Sequence, residues 1–290
     1  VPARIEFTNK QTNEIIELYS KKNVPALQLS KKFQVNVGTI KRVLREQNIP
    51  FNRHSLKRGF TVDENYFGVI DSEAKSYLLG FLYADGCVSN NFNISLSLQE
   101  RDVEIILWAK DQLKISNKLH RCARSKENPN FQDQIKLSVK NRILFKDLCR
   151  LGCVPRKSLV LKFPTYDQVP SRFMRHFIRG YFDGDGSLGL YRIKRRDVFI
   201  PQLSIISSVY FCEELEKFIE QKLNLVFPTY KNKNHNPQTA RVQIDGFRKV
   251  LQFTNWLYQD ATIYLSRKFE KYQEIKAYYN KICLEKEKND

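Results

Sequence analysis

Tyr77-Leu-Leu-Gly-Phe-Leu-Tyr-Ala-Asp-Gly86 returns, one hundred residues later, as Phe177-Ile-Arg-Gly-Tyr-Phe-Asp-Gly-Asp-Gly186. Gly80 aligns with Gly180, Asp85 with Asp185 and Gly86 with Gly186. A repeat at fixed offset implies two copies of one supersecondary unit. Gly180 and Gly184 are four apart, as are Gly80 and Ala84, and residues i and i+4 share a helix face. Small side chains on one face let two helix backbones approach closely, so the copies are expected to pack on each other. Asp71 and Ser171 are the expected N-caps of these helices. Gly86 and Gly186 are expected in left-handed conformation at their C-terminal ends. Such packing would set Asp85 and Asp185 side by side at two helix C-termini, each already carrying roughly half a negative charge. Paired carboxylates there call for a cation. Oxygen ligands select a hard divalent ion, Mg2+ above all. Carboxylate-held ions beside a basic surface make an arrangement suited to phosphodiester cleavage.

The sequence around each copy repeats as well. Phe92, Ile94, Leu96 and Leu98 alternate with polar residues, which predicts a strand buried on one face. A helix is expected from about Asp102, a strand over Gln134–Lys140 and a helix over Asn141–Leu151. In the second copy, Gln202–Ser207 is strand-like and Phe211, Leu215, Phe218 and Ile219 form a helical stripe. Thr239–Asp245 alternates again, Phe247–Tyr258 is helical, and a last helix runs over Tyr264–Ile282. Each half therefore reads helix, hairpin, helix, hairpin, helix, an α+β class. The organisation expected is 1–55, a 56–70 basic linker, a first half over 71–168 and a second over 169–290.

The first 60 residues hold 12 Lys and Arg against 4 acids. Thr12–Ser20 predicts a helix, Pro25–Phe33 a second with Leu27, Leu29 and Phe33 inward, and Asn36 caps a third reaching Asn48. Three short helices with tight turns form a small all-α helix-turn-helix domain. Asn36, Thr39, Lys41, Arg42 and Arg45 are its expected DNA-contacting residues, in the major groove. Arg53, in the basic stretch of residues 49–70 with little periodicity, is expected to track phosphates.

Across the chain, 49 Lys and Arg stand against 31 Asp and Glu, a net charge of +18, which favours a polyanionic partner. A hydrophobic share of 42% supports real cores and excludes a disordered chain. No apolar run reaches the roughly 18 residues of a membrane span, and the first residues lack a secretory core. The six cysteines form no C-x-x-C and the four histidines are scattered, which argues against zinc and against a disulfide framework. An intracellular protein is expected, in the cytoplasm of a bacterium or phage-infected cell, or in an organelle.

The two repeated segments resemble the LAGLIDADG motif of LAGLIDADG homing endonucleases, in the single-chain, two-motif form. The resemblance spans about residues 60 to 282. It includes the approach Phe67-Gly-Val-Ile-Asp-Ser-Glu-Ala-Lys-Ser-Tyr77 and the late segment Tyr258-Gln-Asp-Ala-Thr-Ile-Tyr-Leu-Ser-Arg-Lys268. It implies two pseudo-symmetric αββαββα halves whose antiparallel sheets form a saddle over DNA. It also implies that Asp85 and Asp185 hold metal, with the Ala84 and Gly184 carbonyls as further ligands. The penultimate acid is Asp183 in the second copy but Tyr83 in the first, a departure at a position that is not the metal ligand. The basic residue near each scissile phosphate corresponds to Lys268 and, in Pro155-Arg-Lys-Ser158, to Lys157, with Lys162 as a rival. A positioned ammonium can polarise water or stabilise developing phosphate charge.

The expected activity is Mg2+-dependent, site-specific cleavage of both strands, leaving short 3′ overhangs and driving mobility of the protein's own gene or intron. Two or three divalent ions are expected, with Mn2+ substituting and Ca2+ binding without turnover. The expected partner is a long asymmetric DNA duplex, met by a monomer. Candidate strand contacts are Asn93, Ser95, Gln134 and Lys136 in the first half and Arg192, Lys194, Arg196, Gln202, Arg241 and Gln243 in the second. Arg and Lys suit guanine, and Asn and Gln suit adenine, in a groove that admits a β-ribbon. The alternative is a DNA- or RNA-binding protein without cleavage, a maturase or repressor. An intein is disfavoured by the absence of a Cys or Ser at position 1 and of a terminal His-Asn.

Overall fold

A computed structural model describes residues 5–20, 24–49, 61–126, 128–193, 198–231 and 237–287. The chain divides into two compact units, Val1–Phe60 and Thr61–Asp290. Arg53, Lys194, Arg196 and residues 56–60 of the expected linker lie outside the described residues.

The first unit holds α1 (Asn9–Ser20), α2 (Ala26–Lys32) and α3 (Val37–Glu46). Thr8 and Gln11 close a capping box before α1: Gln11 N donates to Thr8 Oγ1 and Thr8 N to Gln11 Oε1. Asn36 caps α3, its side chain accepting from Gly38 N at 2.8 Å. The core is Ile15, Tyr19, Leu29, Ile40, Val43 and Leu44. Leu27 does not join it and is 58% exposed. It lies two positions from Leu29, and such positions do not face the same way on a helix.

The second unit repeats one αββαββα order. The first copy is α4 (Glu73–Ala84), β1 (Gly86–Val88), β2 (Asn93–Gln99), α5 (Val103–Gln112), β3 (His120–Cys122), β4 (Gln134–Lys140) and α6 (Arg142–Arg150). The second is α7 (Met174–Asp185), β5 (Gly186–Ile193), β6 (Val198–Ser208), α8 (Val209–Leu223), β7 (Thr229–Lys231), β8 (Thr239–Asp245) and α9 (Phe247–Tyr258), followed by α10 (Ser266–Glu287). Each copy forms a four-stranded antiparallel sheet, ordered β1-β2-β4-β3 and β5-β6-β8-β7. Alternation decides which face is buried. Ile94 and Leu96 lie opposite Val139 and Leu137, Leu203 and Ile205 opposite Ile244 and Val242, and all eight are buried. The residues between them form the open face.

Helices α4 and α7 join the halves. A Cβ built on Gly80 would fall 2.0 Å from the Phe177 carbonyl oxygen, and one on Gly180 2.0 Å from that of Tyr77. Glycine in a helix interior costs about 1 kcal/mol relative to alanine, and here it is what lets the two backbones touch. Arg179, fully buried on α7, clamps the pair. It donates to the Ile263 and Leu257 carbonyls at 2.9 and 3.1 Å and to Glu73 of α4. Arg179→Met leaves that carboxylate without its cation, and a loss of about 3 kcal/mol is expected in urea unfolding. An unchanged midpoint would show that the clamp adds nothing.

Two expectations at the ends of these helices are corrected. Ser72, not Asp71, caps α4, accepting from Lys75 N, while Asp71 pairs with the Lys75 ammonium at 2.9 Å. Ser171 opens a 3-10 turn over Ser171–Phe173, and α7 begins after it without a side-chain cap. Gly186 is extended (φ −75°, ψ 155°), and among the described glycines only Gly152 and Gly246 have positive φ. The constraint at Gly86 and Gly186 is space: a Cβ would meet the Leu82 or Phe182 carbonyl oxygen at 2.5 Å. The chain thus passes from helix to strand at that residue, and each sheet starts directly beneath its aspartate.

Candidate metal and nucleic-acid site

Asp85 is the C-cap of α4 and Asp185 the last residue of α7. The close helix contact brings them together. A Cβ on Gly184 would lie 2.3 Å from the Ala84 methyl and 3.2 Å from Asp85 Oδ2, so a glycine leaves the room that the Asp85 carboxylate uses. Both aspartates are exposed on their outer side, while protein surrounds the other sides. The Asp85 carboxyl is pushed up to about 6, by that burial first and by the Asp185 charge second. Asp185 is raised by burial, with Lys157 and Lys268 pulling it back.

One lysine serves each helix end. Lys157 Nζ donates to the Ala84 carbonyl at 2.9 Å, and Lys268 Nζ to the Phe182 carbonyl and, at 3.3 Å, to that of Gly184. Lys268 is only 5% exposed, and burial pushes its ammonium down to about 8. Lys157 is half-buried. Lys162, its rival, is exposed. A cavity of about 350 Å³ beside Asp185 is lined by Lys157, Tyr83, Ala84, Tyr181 and Ser207.

The donors present fit a hard divalent cation. They are carboxylate and carbonyl oxygens, and each carbonyl taken by a lysine keeps a second lone pair. No cluster of three or more His, Cys, Asp or Glu able to cage a metal occurs among the described residues. Two carboxylates with substrate phosphate completing the shell is the pattern for Mg2+.

Asp183 and Tyr83, which differ between the motifs, perform matching structural work. Asp183 is fully buried and accepts from Tyr77 Oη at 2.8 Å, Tyr258 Oη at 3.0 Å and Leu265 N at 2.8 Å. It ties α7 to α4 and to the turn before α10. Tyr83 instead donates to the Leu151 carbonyl at the end of α6 and packs edge-on against Phe177. The roles of Tyr77, Tyr258 and Arg179 leave no local pattern, because their partners are up to 106 residues away.

The open faces hold most of the proposed strand contacts. Asn93, Gln134 and Lys136 are half-exposed on the first sheet, and Gln202, Gln243 and exposed Arg241 lie on the second. Ser95 shares this face but is only 7% exposed, a short side chain opposite Cys87 and Ser138. Arg192 is on the other side. It pairs with Phe199, whose ring meets Tyr278 of α10, whereas Gly189 is opposite Gln202, and three residues reverse the face. In α3, Lys41 and Arg45 are exposed and Thr39 half-buried. The Arg42 guanidinium is held by the Ile5 carbonyl at 2.5 Å, and the Asn36 side chain is engaged in its cap. Asp245 was missed, although it falls in step with Arg241 and Gln243; it accepts from Gln202 Nε2 at 2.7 Å.

No protein-family model matches the chain, and no curated protein matches it in sequence. Solved structures do match in fold. The I-LtrWI LAGLIDADG homing endonuclease bound to target DNA aligns at a TM-score of 0.52 and 11% identity, over 77% of this chain and 92% of that one. The meganuclease I-AabMI bound to uncleaved DNA aligns at 0.51 and 14%, over 72% and 91%. I-GzeII in complex with its DNA target aligns at 0.50 and 10%, over 74% and 91%. With two sheets, a glycine-locked helix pair and this likeness, the chain has the fold of the single-chain LAGLIDADG homing endonucleases.

Proposed function

We propose that this protein is a site-specific, divalent-metal-dependent DNA endonuclease of the homing type. The observation that carries the reading is the pair of aspartates drawn together at two interlocked helix ends, each flanked by a lysine. Asp85 and Asp185 would hold Mg2+, which when bound supplies charge neutralisation at phosphate and a more acidic water. Lys157 and Lys268 stand where an ammonium can steady the developing charge of a phosphate or hold a proton-donating water. The Asp183 and Tyr83 networks fix the helix ends and so the spacing of the two acids. The open sheet faces would read the duplex. Lys41 and Arg45 of the first unit would extend the contact as a helix-turn-helix, and the linker would raise its effective concentration.

Selection from a randomised duplex library tests this. With Mg2+ or Mn2+, one long asymmetric sequence is expected to be cut on both strands with short 3′ overhangs. With Ca2+ it is expected to be bound and left intact. A protein that enriches no duplex would contradict the reading.

Two further outcomes are expected from the selected duplex. If about eight phosphates are neutralised, the log–log salt dependence of binding has a slope of roughly −7. Deleting residues 1–55 weakens binding yet leaves the thermal unfolding of the remainder cooperative. A truncated chain that fails to fold would contradict the domain boundary.

A further inference from the structure

The registers of the two sheets identify equivalent positions. Gly86 lies opposite Leu96, and Leu96 opposite Leu137; Gly186 lies opposite Ile205, and Ile205 opposite Val242. Three residues outward, on the open face, Asn93 pairs with Lys140 in the first sheet and Gln202 with Asp245 in the second. Lys140 and Asp245 are both exposed. One position of the pseudo-twofold therefore carries a cation in one half and an anion in the other.

The hydrogen bonding sharpens the contrast. Asn93 Oδ1 accepts from Ser138 Oγ at 2.8 Å, so the first pair turns an amide NH2 and an ammonium outward, both donors. In the second pair, Gln202 Nε2 donates to Asp245 Oδ1 at 2.7 Å, and Gln243 Nε2 donates to Oδ1 and Oδ2 at 3.3 and 3.2 Å. No cation pairs with Asp245 among the described residues, and Gln243 Oε1 has no donor among them. A carboxylate offers about four acceptor sites, and two amide groups leave some of them open. This corner of the face is oriented, anionic and short of donors.

Phosphates repel such a group and cannot donate to it. On duplex DNA the major-groove donors are the amino groups of cytosine N4 and adenine N6. We infer that Asp245, oriented by Gln202 and Gln243, is a specificity-determining residue that selects a base carrying such an amino group. The equivalent Lys140, with Asn93, selects guanine through its N7 and O6 acceptors. The asymmetry of the target is then written at one pseudo-equivalent position of the two half-sites. This inference rests on the DNA-endonuclease reading. Asp245 lies on the sheet face and not at the helix ends that carry Asp85 and Asp185, so its substitution is read out in base preference.

The test measures binding in Ca2+ to duplexes that vary the selected site one base pair at a time, for the full-length protein, Asp245→Lys and Asp245→Ala. Thermal melts of all three check folding. The unsubstituted protein is expected to prefer C or A at one position by roughly 10- to 100-fold. Asp245→Lys moves the preference at that position alone to G, and Asp245→Ala abolishes it there while other positions keep theirs. A uniform change in affinity across all duplexes, or an unchanged profile in the alanine variant, would overturn the role of Asp245 while leaving the nuclease reading standing. Equal binding of the unsubstituted protein to every duplex would remove both.

Discussion

Asp185→Asn is expected to lower double-strand cleavage by roughly 10³-fold or more, about 4 kcal/mol of barrier, while binding to the same duplex in Ca2+ changes little. Asp85→Asn should do the same, because the two acids occupy equivalent helix ends. The opposite effect is expected on the stability of the metal-free protein. Asp85 holds its proton up to about pH 6, above the ordinary carboxylate value, because of burial and the neighbouring Asp185 charge. A raised folded value favours folding at low pH, and that advantage is lost as pH rises through about 6. At pH 7.5 in EDTA the ionised pair is a cost, and asparagine removes the repulsion between the two charges together with the burial of one of them. Solvent reaches the outer side of both groups, so the gain is held to about 1 kcal/mol or less. Calorimetry in EDTA should show an equal or higher melting temperature. A variant that is both inactive and strongly destabilised would mean that the acid is structural.

Gly180→Ala is the second large effect. The added methyl would sit 2.0 Å from the Tyr77 carbonyl oxygen and 2.9 Å from Phe81 N, both backbone atoms of α4. No side chain can swing aside, so the helices must separate by more than 1 Å to restore ordinary contact. Overpacking of this kind costs about 3 kcal/mol. The same displacement parts Asp85 from Asp185, and misplacing reacting groups by about 1 Å costs roughly 10²-fold in rate. Gly80→Ala meets the Phe177 carbonyl in the same way and should match it. Unchanged melting and cleavage in both variants would mean that the helix contact is not what sets the site.

Much of this was legible in the chain because the repeat carries its context with it. β4, β8 and α9 follow their alternation or stripe from first residue to last. The three-residue strands β1, β3 and β7 are too short to show a period. Gly86 and Gly186 looked like left-handed caps because that is the commonest use of a glycine after a helix. Their actual constraint, contact with the preceding turn, leaves no mark in sequence. The face of Arg192 depends on β5 running straight out of α7, which fixes its parity against Gln202. Asp245 carries no signal in so basic a sequence, because an acid on the open face stands out only through its two amide partners.

The shared metal centre is tested most directly by titrating Mn2+ into the protein–duplex complex and following bound ion by paramagnetic resonance. The account predicts tight Mn2+ uptake by the unsubstituted complex and its loss in the Asp85→Asn, Asp185→Asn double variant, with the duplex still bound. Equal uptake by both complexes would contradict it.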